Sequence, residues 1–242
     1  RGGGVSIDGV RRMVNASLLA DNRLARAQLG SADTIASFHA ALEDAIGTAT
    51  QAGSLGNLLT AFDAAVVSAA ARPDSDTRLS AVLDTAQTLA QKINSIANTI
   101  QSARTSAEQT IANDVARLNS ALDQVTSLNK QIASLTARGK DASSMMDSRQ
   151  AVIDGISAIV PIRQVPRDHG QVALFTTGGA VLLDGTNPAR VGFSRADPVT
   201  VGMSLAAGTL SNLTFNDSQL TSFQQAAMFS GGTLGANFAI RD

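Results

Sequence analysis

The side chains able to act chemically are few and scattered. His39 stands beside Phe38 in a helical pattern, and His169 lies in the turn-like cluster Pro166-Arg167-Asp168-His169-Gly170. A zinc site needs several ligands converging at set spacing, and no His-Glu-x-x-His or comparable set occurs. Cys is absent, which removes disulfides, thiolate nucleophiles and sulfur-ligated metals together. Ser127-Leu128-Asn129-Lys130 has the Ser-x-x-Lys order of serine acyl-transfer enzymes, but no Lys-Thr-Gly follows any of the three lysines. Its residues read as a solvated helix face. Asp74 and Asp76 open like a calcium loop, yet the Gly at position 6 and the Glu at position 12 are missing. They read instead as caps for the helix that follows. The glycine-rich pieces RGGG, TTGGA and SGGTLG lack the order of a phosphate-binding loop. No catalytic, metal or cofactor constellation emerges.

Composition narrows the classes further. The 242 residues are 44% hydrophobic and 16% charged, which suits one large folded domain or two modest ones. A formal charge of −1 and the lack of any basic run interleaved with aromatics argue against nucleic-acid binding. Trp and Tyr are absent, so stacking platforms are poorly supplied. The uncharged tracts Pro198–Asn216 and Ser218–Ile240 are interrupted by Gly, Ser, Thr, Asn and Gln, unlike a membrane span. The chain reads as soluble. It opens on Arg1 rather than Met, which reads as a fragment or a processed product.

The regular feature is a packing stripe. Val10, Val14, Leu18, Leu24, Ile35, Phe38, Leu42 and Ile46 recur at helical spacing, with Gly30 as a weak point. Glycines break the pattern across Gly47–Asn57, and a second helix is expected from about Leu58 to Ala71. Pro73 stops it, and Asp74, Ser75 and Asp76 are candidate caps for the next. From Arg78 to Arg138 there is neither Gly nor Pro. One helix over about 76–138 would be roughly 90 Å long. Its stripe runs through Leu79, Val82, Leu89, Ile93, Ile96, Ile100, Ile111, Val115, Leu118, Leu122, Val125, Ile132 and Leu135. The residues between are rich in Ser, Thr and Asn, so tertiary packing of the stripe must hold the helix.

Gly139 ends the long helix and Met145–Ile159 predicts a shorter one. Beyond Pro161 the chain turns β-branched and alternating. QVALFTT and AVLLDG flank Gly178-Gly179 as a hairpin, with further strands expected at Arg190–Ser194, Val199–Leu205 and Leu210–Phe215. FSGGTLGANFAIRD then enters another helix. The fold class is α+β: an elongated, rod-like long-helix bundle with a small, mostly antiparallel β domain inserted before the returning C-terminal helix. The divisions fall at 1–159, 160–226 and 227–242.

Several segments resemble one family, the flagellar hook-associated protein 1 of bacteria. ALEDAIGTATQAGSLGNLLTAFDAAVVSAAARPDSDTRLSAVL, Ala41–Leu83, is similar to the family's helix, glycine-rich break, second helix and A-x-P-x-D-x-x-R turn. Leu128–Val165 is similar to its L-N-x-x-I element followed by D-x-R-D-x-L-x-x-x-L. QVALFTTGGAVLLDG resembles its short hairpin, and GGTLGANFAIRD its entry into a C-terminal helical arm. Gln150 stands where the family usually has an acidic residue, so a shared salt bridge at Arg149 is not carried over; Gly155 interrupts the helix, and the β region is short.

The resemblance implies a self-assembling, non-catalytic structural protein of the hook–filament junction, extracellular and exported through the flagellar type III channel without a cleaved signal peptide. Its implied partners are its own copies in a junction ring, the hook protein, the second junction protein on the filament side, and an export chaperone bound by a C-terminal tail outside this sequence. Nucleic acid, membrane and cofactors are not implied. Two other readings stay open: another flagellar axial or secreted coiled-coil protein (flagellin-like or cap-like), and an enzyme using residues such as Asp168 and His169 in a β-domain pocket.

Overall fold

The computed structural model of the protein describes residues 15–242. Among them, α1 (Ala16–Ile46), α2 (Leu55–Ala71), α3 (Asp76–Ala137) and α4 (Ser143–Ile156) precede seven short strands, and α5 (Ser222–Met228) and α6 (Gly232–Arg241) close the chain. The class is α+β with a helical bundle. Val10 and Val14, the first positions of the expected α1 stripe, lie outside the described residues.

α3 runs for 62 residues without a break. Its start follows the turn at Pro73 and Asp74: the Leu79 N–H donates to the Ser75 carbonyl at 3.1 Å. Its end is set by Gly139, whose φ of +64° is open to glycine at little cost. That turn lets Lys140 N–H reach the Leu135 carbonyl (2.9 Å) and Gly139 N–H the Thr136 carbonyl (3.0 Å), the paired closure of a Schellman motif. The weak helix formers inside are satisfied locally. Thr85, Thr88, Thr99, Thr105, Thr110 and Thr126 each donate a hydroxyl hydrogen bond to the carbonyl four residues back.

The helix starts shift where caps intervene. α2 begins at Leu55 rather than Leu58, because Ser54 Oγ accepts from the Asn57 N–H at 3.2 Å. α4 begins at Ser143, after Asp141 accepts both the N–H (3.0 Å) and the hydroxyl (2.7 Å) of Ser143. It ends at Ile156, short of the expected Ile159.

Two antiparallel sheets follow. The first has the order β1 (Ile162–Pro166), β2 (Val172–Thr176), β3 (Val181–Asp184), β4 (Asn187–Pro188). Its central hairpin pairs Leu174 with Leu183 and turns at Gly178-Gly179. A Cβ on Gly178 would overlap the Ala227 carbonyl of α5, so glycine is what lets the turn seat there. The second sheet is smaller still, with β6 (Thr214–Phe215) between β5 (Val191–Gly192) and β7 (Ser218–Gln219).

Three expectations for this region need correction. Strands expected over Arg190–Ser194 and Leu210–Phe215 shrink to Val191–Gly192 and Thr214–Phe215. Val199–Leu205, expected as a strand, is a series of turns. Three of its carbonyls are taken by α3 side chains, not by a neighbouring strand: Gln101 donates to Val199, and Arg104 donates to Met203 at 2.7 Å and Thr200 at 3.4 Å. Finally, α5 stands inside the stretch read as β. Thr221 and Gln224 form a capping box that starts it.

The chain divides into two compact units. One holds residues through Ser31, Asn113–Phe193 and Asn212–Gly235, and so both sheets. Its core gathers Leu118, Leu122, Val125 and Ile132 of α3, Ile153 of α4, and Leu174, Leu182 and Leu183 of the hairpin. The other holds Ala32–Ala112, Ser194–Ser211 and Ala236–Asp242, with Ile111, Val199, Leu210 and Phe238 buried.

Candidate functional site: polar ties along the α3 stripe

The residues with chemical potential do not converge. The His39 ring lies 5.8 Å from that of Phe38 on α1, and His169 is exposed in a 3-10 turn at φ +55°. Ser127 and Lys130 are both exposed, and the Ser127 hydroxyl accepts from Gln131 Nε2 at 3.2 Å. Asp76 sits in the first turn of α3, where its charge suits the helix N-terminus. Among the described residues no group of three His, Asp or Glu side chains could share a metal ion. None of their helices is long and apolar enough to cross a membrane.

The stripe is one line in sequence and two environments in space. Ile111, Val115, Leu118, Leu122, Val125 and Ile132 are buried, and Leu135 half-buried. Toward the N-terminus, Leu79, Ile93 and Ile100 are 45%, 52% and 36% exposed, with Val82, Leu89 and Ile96 half-buried. Leu83, outside the predicted stripe, is 70% exposed, and Leu59, Val66 and Val67 of α2 add to the open apolar surface.

Polar residues set into the buried half hold the other elements to α3. Asn129 Nδ2 donates to the Val172 carbonyl (2.9 Å) and the Gly185 carbonyl (2.6 Å), while its Oδ1 accepts from Val172 N–H (3.3 Å). Asn119 does the same for Val191, with Nδ2 to its carbonyl at 2.7 Å and Oδ1 from its N–H at 3.1 Å. Each carboxamide therefore pairs with a strand residue as a neighbouring peptide would. Arg149 of α4 donates to Asn129 Oδ1 (2.7 Å) and to the Gly170 carbonyl (2.8 Å), which ties the helix pair to the 3-10 turn. Gln150 donates to both carboxylate oxygens of Asp154 (2.9 and 3.1 Å). Asp154 also takes the Nε of Arg23 at 2.7 Å, and Arg23 reaches Gln164 of β1 at 2.9 Å. The buried face of α1 is thus Arg23 and Ala27, while Leu18 and Leu24, expected on its stripe, are exposed.

Two more ties use carboxylates. Asp114 accepts from the Thr233 hydroxyl at 2.6 Å at the start of α6. Burial pushes its carboxyl above the ordinary value, against the opposing pull of that hydrogen bond and of Arg117. In the other unit, Glu108 and Arg241 are fully buried, 3.4 Å apart. Glu108 also accepts from Ala196 N–H (2.8 Å), and Arg241 donates to the Ser211 carbonyl (2.8 Å). Arg104 Nε caps the end of α6 through the Arg241 carbonyl at 2.6 Å. Asn129, Arg149 and Arg241 all fall inside the family-like segments. The available signal was a polar residue standing where an apolar stripe predicts Leu or Ile.

These features define a helical-bundle packing protein, in which side chains of one long helix fasten small β elements and a returning helix. The family model described as flagellar hook-associated protein FlgK helical domain matches residues 39–242, and the chain belongs to that family. It is 26% identical over 183 residues to flagellar hook-associated protein 1 of Bacillus subtilis (strain 168), covering 76% of this chain and 36% of that protein. The structure of the flagellar hook junction protein FlgK from Burkholderia pseudomallei has the same fold. Its TM-score is 0.71 at 21% identity, over 92% of this chain and 39% of that one. The chain therefore spans little more than a third of the length of the relatives it matches.

Proposed function

We propose that this chain is the helical core of a subunit that joins hook to filament at the junction of the bacterial flagellum. The observation that carries this reading is the family match over residues 39–242, which takes in the Asn129, Arg149 and Arg241 ties. The role is structural and self-assembling. It requires no reactive site, in keeping with a stripe flanked by Ser, Thr and Asn rather than by acids and bases. Its partners are its own copies in a ring, the hook protein, the second junction protein, and an export chaperone. Its place is outside the cell, reached by flagellar export.

In this reading residues 1–159 supply the stiff helical part, 160–226 the β part and 227–242 the return. The stripe has two tasks: Ile111 to Leu135 packs the β part, and Leu79 to Ile100 packs against neighbouring elements of the assembly. Open apolar surface of that extent favours a packing role over a solvated one.

The test is deletion of the full-length gene in its source bacterium, with flagella scored by electron microscopy and flagellin measured in the medium. Bare hooks with filament protein lost to the medium are expected. Intact filaments and normal swimming would remove the junction reading.

A further inference from the structure

The segment Ser194–Ser211 carries no helix and no strand, yet Val199 and Leu210 within it are 1% and 5% exposed. Its internal backbone hydrogen bonds are single turns: Met203 N–H to Thr200, Gly208 N–H to Leu205, and Thr209 and Leu210 N–H to Ser204, with the Ser204 and Thr209 hydroxyls bracing the last of them. What seats it on α3 is a row of side chains at 101, 104 and 108, spaced three and four apart and so on one helix face. Gln101 takes the Val199 carbonyl, Arg104 those of Thr200 and Met203, and Glu108 the Ala196 N–H. These anchors stand where the stripe passes from exposed Ile100 to buried Ala107 and Ile111.

The geometry points to Ser194–Ser211 as a releasable strap, latched by Gln101, Arg104 and Glu108 of α3 and held at its Ser211 end by Arg241, that closes the accessible face of α3 at residue 100. A segment fastened by side chains and short turns, without a ladder of its own, opens at lower cost than the helices beside it. Release bares Val199, Leu210 and the α3 face at Gln101, while Arg104 and Glu108 keep their contacts with Arg241 of α6. The strap thereby fixes how far the accessible stripe Leu79–Ile100 extends along α3. This inference stands apart from the junction role, because it concerns the isolated fold.

The chain lacks Cys, so single engineered thiols report cleanly. Labelling of Val199→Cys by a small thiol reagent, under native conditions, is compared with that of Val125→Cys in the buried half of α3. The thiol at 199 is expected to react at least about tenfold faster, through local opening. Adding Arg104→Gln or Gln101→Ala should speed labelling at 199 further and leave 125 unchanged. Equal rates at 199 and 125, acceleration of both sites alike, or no response at 199 to either latch variant would overturn the strap. Hydrogen exchange of the unaltered chain makes the same comparison without substitution. Ala196, Met203 and Leu210 amides should exchange well before those of Leu118–Ile132, and equal protection would refute the proposal.

Discussion

A carboxamide presents one acceptor and one donor at about the spacing of a peptide group, and Asn119 and Asn129 use both on a single strand residue each. Removing Asn129 leaves the Val172 N–H, two carbonyls and part of the Arg149 guanidinium short of partners in a buried place. Asn129→Ala should therefore cost about 3 kcal/mol in urea unfolding, since unmet buried polar groups lose their full hydration. A loss under about 1 kcal/mol would show that water replaces the tie. Asp114 is predicted to act in the opposite sense. Burial raises its carboxyl value, so the folded chain holds that proton more tightly than the unfolded chain. Its contribution favours folding below the ordinary carboxylate value and is lost as pH rises through the raised one. Asp114→Asn should accordingly raise the melting temperature at pH 7, and the gain should shrink as pH falls through the carboxylate range. A gain that grows on acidification would contradict the direction.

At the scale of elements, α3 must be continuous for the ties to keep their order. Leu118→Pro sits at a fully buried interior position and should abolish cooperative melting, because proline there costs about 3 kcal/mol or more. The two halves of the stripe should separate under truncation. Leu122→Ala should cost about 3 kcal/mol by leaving a cavity, whereas Leu83→Ala should stay within about 0.5 kcal/mol. Similar losses at both positions would mean that the exposed half is covered in solution. The long helix was legible in sequence because its limits are chemical, Pro73 before it and Gly139 after it. The difference between its halves was not, since Leu79 and Leu118 are the same residue type in the same period and only their neighbours differ. The strap misled for a related reason. Val-Thr-Val alternation satisfies a strand pattern, but the Val199 and Thr200 carbonyls accept from side chains distant in sequence, and Thr200 also closes a local turn with Met203. Asn129, Arg149 and Arg241 could have been marked as interruptions of apolar runs, although nothing in the sequence paired them.

For the whole molecule, the test of the exposed stripe belongs in the full-length protein in its own bacterium. Leu83→Gln together with Ile93→Gln should leave the melting temperature of the purified chain unchanged and reduce the fraction of hooks that carry filaments. Normal filament numbers with both substitutions would move the assembly contact to another face. The two asparagine ties carry a different consequence, one for how such a chain can vary over generations. Each grips the N–H and C=O that every residue except proline offers, and neither hydrogen-bonds to the side chain at 172 or 191. The two ties themselves are therefore indifferent to side-chain type, although the apolar face of Leu174, Leu182 and Leu183 and the Gly178 turn must still fit the core. The strands can drift among the side chains that the core accommodates while the helix that carries them keeps two asparagines, and a foreign hairpin with the same apolar face and glycine turn could be exchanged for the native one at the same seat.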